Sequence, residues 1–337
     1  MDFKIFQLGN VTLQSGEVLP NAFLAYQTYG KLNADKTNVI VYPTAFGDQH
    51  YQNEWLIGPE MALDPNKYFI IVPNLLGNGL SSSPSNTPAP YDKSRFPKVT
   101  IFDNISFQHR LITEKFGITK IALVTGWSLG AVQTFQWAAN YPDMVERIAP
   151  FCGTAKTWPH TQVFLEGVKA PLVSNPTWEK GEYQNQPEAG MRAIGRVYAG
   201  WGFSQAFYRE ELYRKLGFPT LEEFLTDFWE NNFLGIDANN LLAMLWTGQH
   251  ADISANNLYN GDFEKALQSI RAKAVVMPGI TDLYFTPEDS KYETEQIPNA
   301  TFRPIDSIWG HFAGRGIHDE DTKFIDDELK NLLALSI

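Results

Sequence analysis

IALVTGWSLGAVQTFQWA, residues 121–138, joins an apolar β-type run to a helical pattern through the turn Gly126-Trp127-Ser128-Leu129-Gly130. A strand followed at once by a helix is the context in which the spacing G-x-S-x-G carries chemistry. The turn is so tight that only small residues fit on either side of Ser128, which accounts for Gly126 and Gly130. It exposes the serine Oγ and leaves the Leu129 N–H at the helix start. A nucleophile and one donor for a developing oxyanion are therefore expected at adjacent positions. In the competing reading the two glycines serve only the turn and Ser128 is an incidental polar residue.

On both sides of this junction, β-rich runs bounded by turn residues recur at 23–29, 39–43, 68–73, 147–152, 274–279 and 301–305. Helical patterns separate several of them, notably 101–117, with Asp103 as the expected N-cap, and 129–142, stopped by Pro142. This alternation predicts an α/β fold with a mostly parallel central sheet. From about Trp158 to Asn260 it stops, and helical stretches such as TLEEFLTDFWENNFLG and ANNLLAMLWTG follow one another. Strand-like sequence then returns, and an amphipathic helix closes the chain. The expected organisation is a core of residues 1–157 and 266–337 interrupted by a helical lid at 158–265.

Composition narrows the classes of function. The 337 residues are 44% hydrophobic, enough for a large core, and 27 Lys plus Arg stand against 38 Asp plus Glu, a formal charge of −11. No basic run could track a phosphate backbone, so no nucleic-acid partner is expected. The single cysteine, Cys152, allows no intrachain disulfide, and the first residues lack the basic and apolar regions of a signal peptide. No apolar run approaches the roughly 18 residues of a membrane span. A cytoplasmic protein without a membrane partner is expected.

A nucleophilic serine needs a base, and there are six histidines. In this architecture the partners follow the serine in the order acid, then histidine, each on a loop after a late strand. His311 satisfies this order: it follows TFRPI in a loop where Gly310 and Gly314 suit a sharp turn. His109, inside a helical pattern, and His318, opening the last helix, read as structural or solvated. The acid that holds the imidazole tautomer is expected at Asp282, just beyond AVVMPG; Asp306 is the runner-up, and Asp289 falls in the helix after Pro287. The second oxyanion donor belongs to the loop after an early strand, VIVYPTAFGDQH, with the Ala45 N–H preferred over its neighbours Thr44 and Phe46. No nucleotide-binding or paired-cysteine motif and no H-E-x-x-H is present, so no metal and no cofactor are expected.

GWSLGAVQTFQWAANYPDMVERI, NLLGNGLSSSPS with FPKVTIFDN, PTAFGDQH, DLYF and GHFAG together resemble homoserine O-acetyltransferases over almost the whole chain, most closely in 38–155 and 274–315. The resemblance implies an α/β-hydrolase fold with a helical lid, acetyl-CoA as acyl donor, a hydroxyl acceptor, and a homodimer through the lid. The family's nucleophile, acid and base fall on Ser128, Asp282 and His311. Three departures argue against homoserine itself. Trp127, Leu129 and Ala131 replace the usual residues of the family's G-G-S-M-G-G elbow. Phe312 stands where an aspartate helps bind the amino acid. The lid arginine that holds the homoserine carboxylate falls on Lys169, which cannot reproduce a bidentate fork. Trp127, Lys169 and Phe312 are thus the candidate substrate-binding positions.

A magnitude separates transfer from hydrolysis. An acceptor at about 1 mM must be favoured over about 55 M water by roughly 5 × 10⁴, or about 6.4 kcal/mol, which requires a dedicated pocket. With both acceptor groups altered, hydrolysis of a small ester or thioester is the default. The alternatives are transfer to a less polar acceptor held by aromatics such as Trp127, Trp201, Trp246 and Phe312, and a non-catalytic ligand-binding protein.

Overall fold

The computed structural model describes residues 2–336. Eight strands form one sheet: β1 (Lys4–Thr12), β2 (Val18–Tyr29), β3 (Val39–Val41), β4 (Phe69–Pro73), β5 (Leu123–Trp127), β6 (Arg147–Phe151), β7 (Lys273–Val276) and β8 (Ala300–Phe302), in the order β1-β2-β4-β3-β5-β6-β7-β8. β1 and β2 are antiparallel to their neighbours; from β4 onward every pair is parallel, with Ile40 opposite Ile70 and Leu123, and Val124 opposite Ile148. Parallel strands covered on both faces read as continuous apolar runs, and every residue of β3, β4 and β6 is buried. β1 lacks such a run because it lies at the sheet edge with most of its side chains exposed.

Chain order reverses at β3: β4 lies on one side of it and β5 on the other. In open α/β sheets the crevice at such a point, beyond the carboxyl ends of the strands, is where ligands sit. It receives the loop after β3 and the turn after β5.

The helix α1 (Ile101–Arg110) is capped by Thr100 rather than Asp103. Asp103 is the third helical residue and completes a capping box: its Oδ2 accepts the Thr100 N–H at 2.9 Å while the Thr100 Oγ1 accepts the Asp103 N–H at 3.1 Å. α2 (Leu129–Asn140) is buried up to Ala139, since it runs beneath the sheet as the continuation of the elbow. Between β6 and β7 the chain makes its helical excursion, beginning with α3 (Pro159–Val173) and α4 (Glu188–Gly202) and ending with the helix Ala238–Gln249. Its two ends meet where Lys156 pairs with Asp252. From Ile253 onward the chain packs on the core, with the Ile253 carbonyl accepting from Gln136 and the Tyr259 hydroxyl donating to Ala139 O. The return thus comes before 265, because the helix Phe263–Gln268 shares the helical pattern of the lid yet reaches the core helix Pro287–Gln296 through Glu264 and Tyr292. Among the described residues no helix is long and apolar enough to cross a membrane.

Candidate active site

β5 ends at Trp127, and Ser128 adopts φ 56° and ψ −122° before α2 begins. A non-glycine residue in this region is strained, and the surroundings must hold it there. Close approach does so: a Cβ on Gly126 would lie 2.5 Å from the Gly130 carbonyl group, and one on Gly130 would lie 2.7 Å from Pro43 O. Gly153, which the motif does not contain, is a third such position, since its Cβ would meet Ala131 Cβ at 2.4 Å and Ser128 O at 2.8 Å. The atoms it would meet belong to the elbow and to α2, which only the fold brings beside it, so the sequence held no signal for it.

His311 stands in the turn Gly310–Gly314 after β8. Its Nε2 is 2.9 Å from Ser128 Oγ and its Nδ1 2.8 Å from Asp282 Oδ2. The other Asp282 oxygen accepts the N–H groups of Tyr284 at 2.8 Å and Phe285 at 3.1 Å. With Asp282 acceptor-only, Nδ1 carries the proton and Nε2 is free to accept from the serine hydroxyl. All three side chains are buried. Asp306 is exposed, Asp289 caps the helix Pro287–Gln296 with Thr286, and His109 stacks on Tyr141 at 4.0 Å. Cys152 is buried, and desolvation together with nearby Asp282 pushes its thiol well up, so it supplies no competing thiolate.

Facing α2 is the loop after β3. The Thr44 N–H is committed to Pro73 O at 3.3 Å, whereas among the described residues the N–H groups of Ala45, Phe46 and Leu129 have no acceptor. Gln133 Nε2 donates to Thr44 O at 2.9 Å, and the Asp48 N–H closes the turn on Ala45 O at 3.2 Å.

A cavity of about 810 Å³ opens at Ser128 and His311, walled on one side by aromatic residues, among them Phe46, Tyr198, Trp229 and Phe312. Phe312 stacks on Phe203 at 4.5 Å, where an aspartate would be buried among rings. Trp127 lines the same cavity, but it is also a strut: its Nε1 donates to His311 O at 3.0 Å and its ring lies 5.0 Å from the imidazole. Lys169 is not brought to this site. It lines a separate cavity of about 730 Å³ at the seam of lid and core, paired with Glu166 at 2.6 Å. Position along a lid helix does not determine which face that helix turns to the nucleophile, and α3 turns Lys169 away. Trp246 lines that second cavity too, and Trp201 packs on Phe164 at 4.6 Å. Among the described residues lining the Ser128 cavity, Arg315 is the only lysine or arginine, and both oxygens of Asp48 hold it, at 2.7 and 2.9 Å. Burial pushes the Asp48 carboxyl up against the lowering pull of this guanidinium. Neither residue stood out in the sequence, because only the fold sets them side by side.

Comparison with known proteins agrees with this architecture. Residues 38–314 match the model of the alpha/beta hydrolase fold family. The chain is 39% identical to an ethyl acetate hydrolase of Pseudomonas veronii, over 98% of this chain and 95% of that one. An acetylester hydrolase from Corynebacterium glutamicum superposes with a TM-score of 0.96 at 38% identity, covering 99% of this chain and 96% of that one. A homoserine O-acetyltransferase of Methanococcus vannielii is 30% identical, over 93% of this chain and 70% of its own length. Fold and sequence place the protein in the alpha/beta hydrolase family, and within it the esterase relatives match more strongly than the acetyltransferases.

Proposed function

We propose that this protein hydrolyses an uncharged ester of a short acyl group, acetate being the reference case, through an acyl enzyme on Ser128. The observation that carries the reading is the continuous hydrogen-bonded chain Ser128–His311–Asp282 at the strained turn. Ser128 Oγ attacks the ester carbonyl while His311 Nε2 takes its proton, and Asp282 stabilises the imidazolium. The N–H groups of Leu129 and Ala45 hold the oxyanion, each worth about 2.7–4 kcal/mol in the transition state. As the intermediate collapses, His311 returns the proton to the departing alcohol. Water, deprotonated by the same imidazole, then releases the acid.

Hydrolysis is favoured over transfer by the charge of the cavity. Asp48, Asp227 and Asp237 stand against Arg315, whose charge is already paired with Asp48. Neither the phosphates of a coenzyme A thioester nor the carboxylate of homoserine would meet an unpaired cation there. The esterase relatives supply the choice of acetate. A non-catalytic receptor would have no use for all three aligned groups.

The test is turnover of p-nitrophenyl acetate and of acetyl-CoA, each with and without homoserine and other hydroxyl acceptors, by wild type and Ser128→Ala. The expected result is nitrophenol release independent of acceptor, inert acetyl-CoA, and a loss of at least about 10⁴-fold in Ser128→Ala. Acceptor-dependent thiol release would make the protein a transferase, and a near-wild-type Ser128→Ala would end the mechanism.

A further inference from the structure

The Asp48–Arg315 pair joins two loops that the reaction proposed above needs to hold in register. Asp48 ends the turn whose first residue is Ala45, and its own carbonyl accepts from Asn78 Nδ2 at 3.0 Å. Arg315 directly follows the turn that carries His311. The guanidinium lies 4.9 Å from the Trp127 ring, and that indole holds the His311 carbonyl. The contacts run from the Ala45 turn through Asp48, Arg315 and Trp127 to His311, and Trp127 is bonded to Ser128 through the chain. They form one continuous line of contacts that links the Ala45 turn to both His311 and Ser128.

A buried ion pair contributes little to stability on average, because desolvation offsets the attraction. The side chains of Asp48 and Arg315 are only 8% and 17% exposed, so this pair has that cost without an evident gain in stability. The two-pronged geometry pairs the two charges with each other and fixes their relative orientation. What such a pair does supply is a fixed distance and orientation between the two loops.

We propose that Asp48 and Arg315 are positioning residues for ester hydrolysis, clamping the oxyanion loop to the histidine loop across Trp127. The proposal rests on the esterase reading. It places the loss on transition-state geometry: the carbonyl oxygen of the bound ester is held equally well without the clamp, whereas the displaced N–H meets the developing oxyanion poorly.

The experiment compares Asp48→Asn, Arg315→Met and Arg315→Lys with wild type and with Arg303→Met, which breaks an ion pair with Glu328 that lines neither cavity. The readouts are kcat and KM for p-nitrophenyl acetate and the ratio of turnover of that ester to its thiono analogue, whose larger sulfur is poorly held by an oxyanion hole. We expect kcat to fall about 10- to 100-fold in Asp48→Asn and Arg315→Met, with KM within about threefold and the ester-to-thionoester ratio falling along with kcat. Arg315→Lys, the mildest change, should recover part of kcat through a single contact. An unchanged ratio, a kcat within about threefold of wild type, or a rise in KM alone would overturn the proposal. If wild type and Arg303→Met neither turn over the ester nor react with a fluorophosphonate, the esterase reading itself has failed.

Discussion

Ser128 is held in its strained conformation by what its neighbours lack. Gly130 has no Cβ to meet Pro43 O, so the α2 terminus and the loop after β3 come within contact distance. Gly130→Ala should therefore displace the loop and lower kcat by about 10²–10³, with the circular dichroism spectrum retained; unchanged kinetics would show that the loop yields without consequence. Asp282→Asn tests the tautomer. The N–H groups of Tyr284 and Phe285 demand an oxygen at one end of the side chain, so the amide nitrogen must face His311 Nδ1. That end then donates, Nε2 becomes protonated and cannot accept from Ser128, and kcat should fall by about 10⁴ near neutral pH. Single-turnover acylation rates would check this.

At the scale of elements, the stretch leading into the lid is tied to the core by Glu293 on the helix Pro287–Gln296. This fully buried carboxylate accepts from Thr154 Oγ1 at 2.5 Å, the Ala155 N–H at 2.9 Å and Trp158 Nε1 at 2.9 Å. Desolvation pushes its pKa up to about 7, more than these hydrogen bonds pull it down. A carboxyl raised in the folded state holds its proton more tightly there than in the unfolded chain. Its contribution to stability is fully present below about pH 4.5 and is lost as the pH rises through 7, a difference of about 3 kcal/mol. Wild-type unfolding free energy should fall across that window in denaturant titrations, and Glu293→Gln should remove most of the slope while losing one hydrogen bond at low pH. A slope that persists in the variant would assign it to other groups. The same scale limits what the chain reveals about itself. In β1 the polar–apolar alternation is broken by the register shifts on either side of Gly9, so no strand period shows, and Phe263–Gln268 has helical periodicity that does not say which body it packs on.

For the whole molecule, the order of strands decides where chemistry occurs, since β3 and β5 meet at the reversal and bring the Ala45 and Ser128 segments together. The closing helix Asp319–Ala334 completes the layer over the far strands, and Arg147, buried at the start of β6, fastens its end by donating to Leu332 O at 3.1 Å and Leu335 O at 2.6 Å. Arg147→Met should lower stability by about 2–3 kcal/mol through orphaned carbonyls and leave kcat per titrated active site unchanged, because no group of the site touches it. Parallel loss of kcat would mean that the helix sets the site as well as the stability.

The amino-acid sequence by itself determined the sheet-and-helix alternation, the turn at Ser128 and the candidacy of Asp282 and His311, which the fold sets beside Ser128, because each is read from spacing and order along the chain: a glycine-flanked serine between strand and helix, and a polar residue just past a late apolar run. Tertiary structure alone decided what depends on distance through space. It turned Lys169 away from Ser128, set Gly153 against Ala131, joined Asp48 to Arg315 across most of the chain, and left Arg315, paired with Asp48, as the one lysine or arginine among the described residues lining the cavity. Periodicity shows that a segment is helical and which of its faces is apolar. It does not show which neighbour that face will meet.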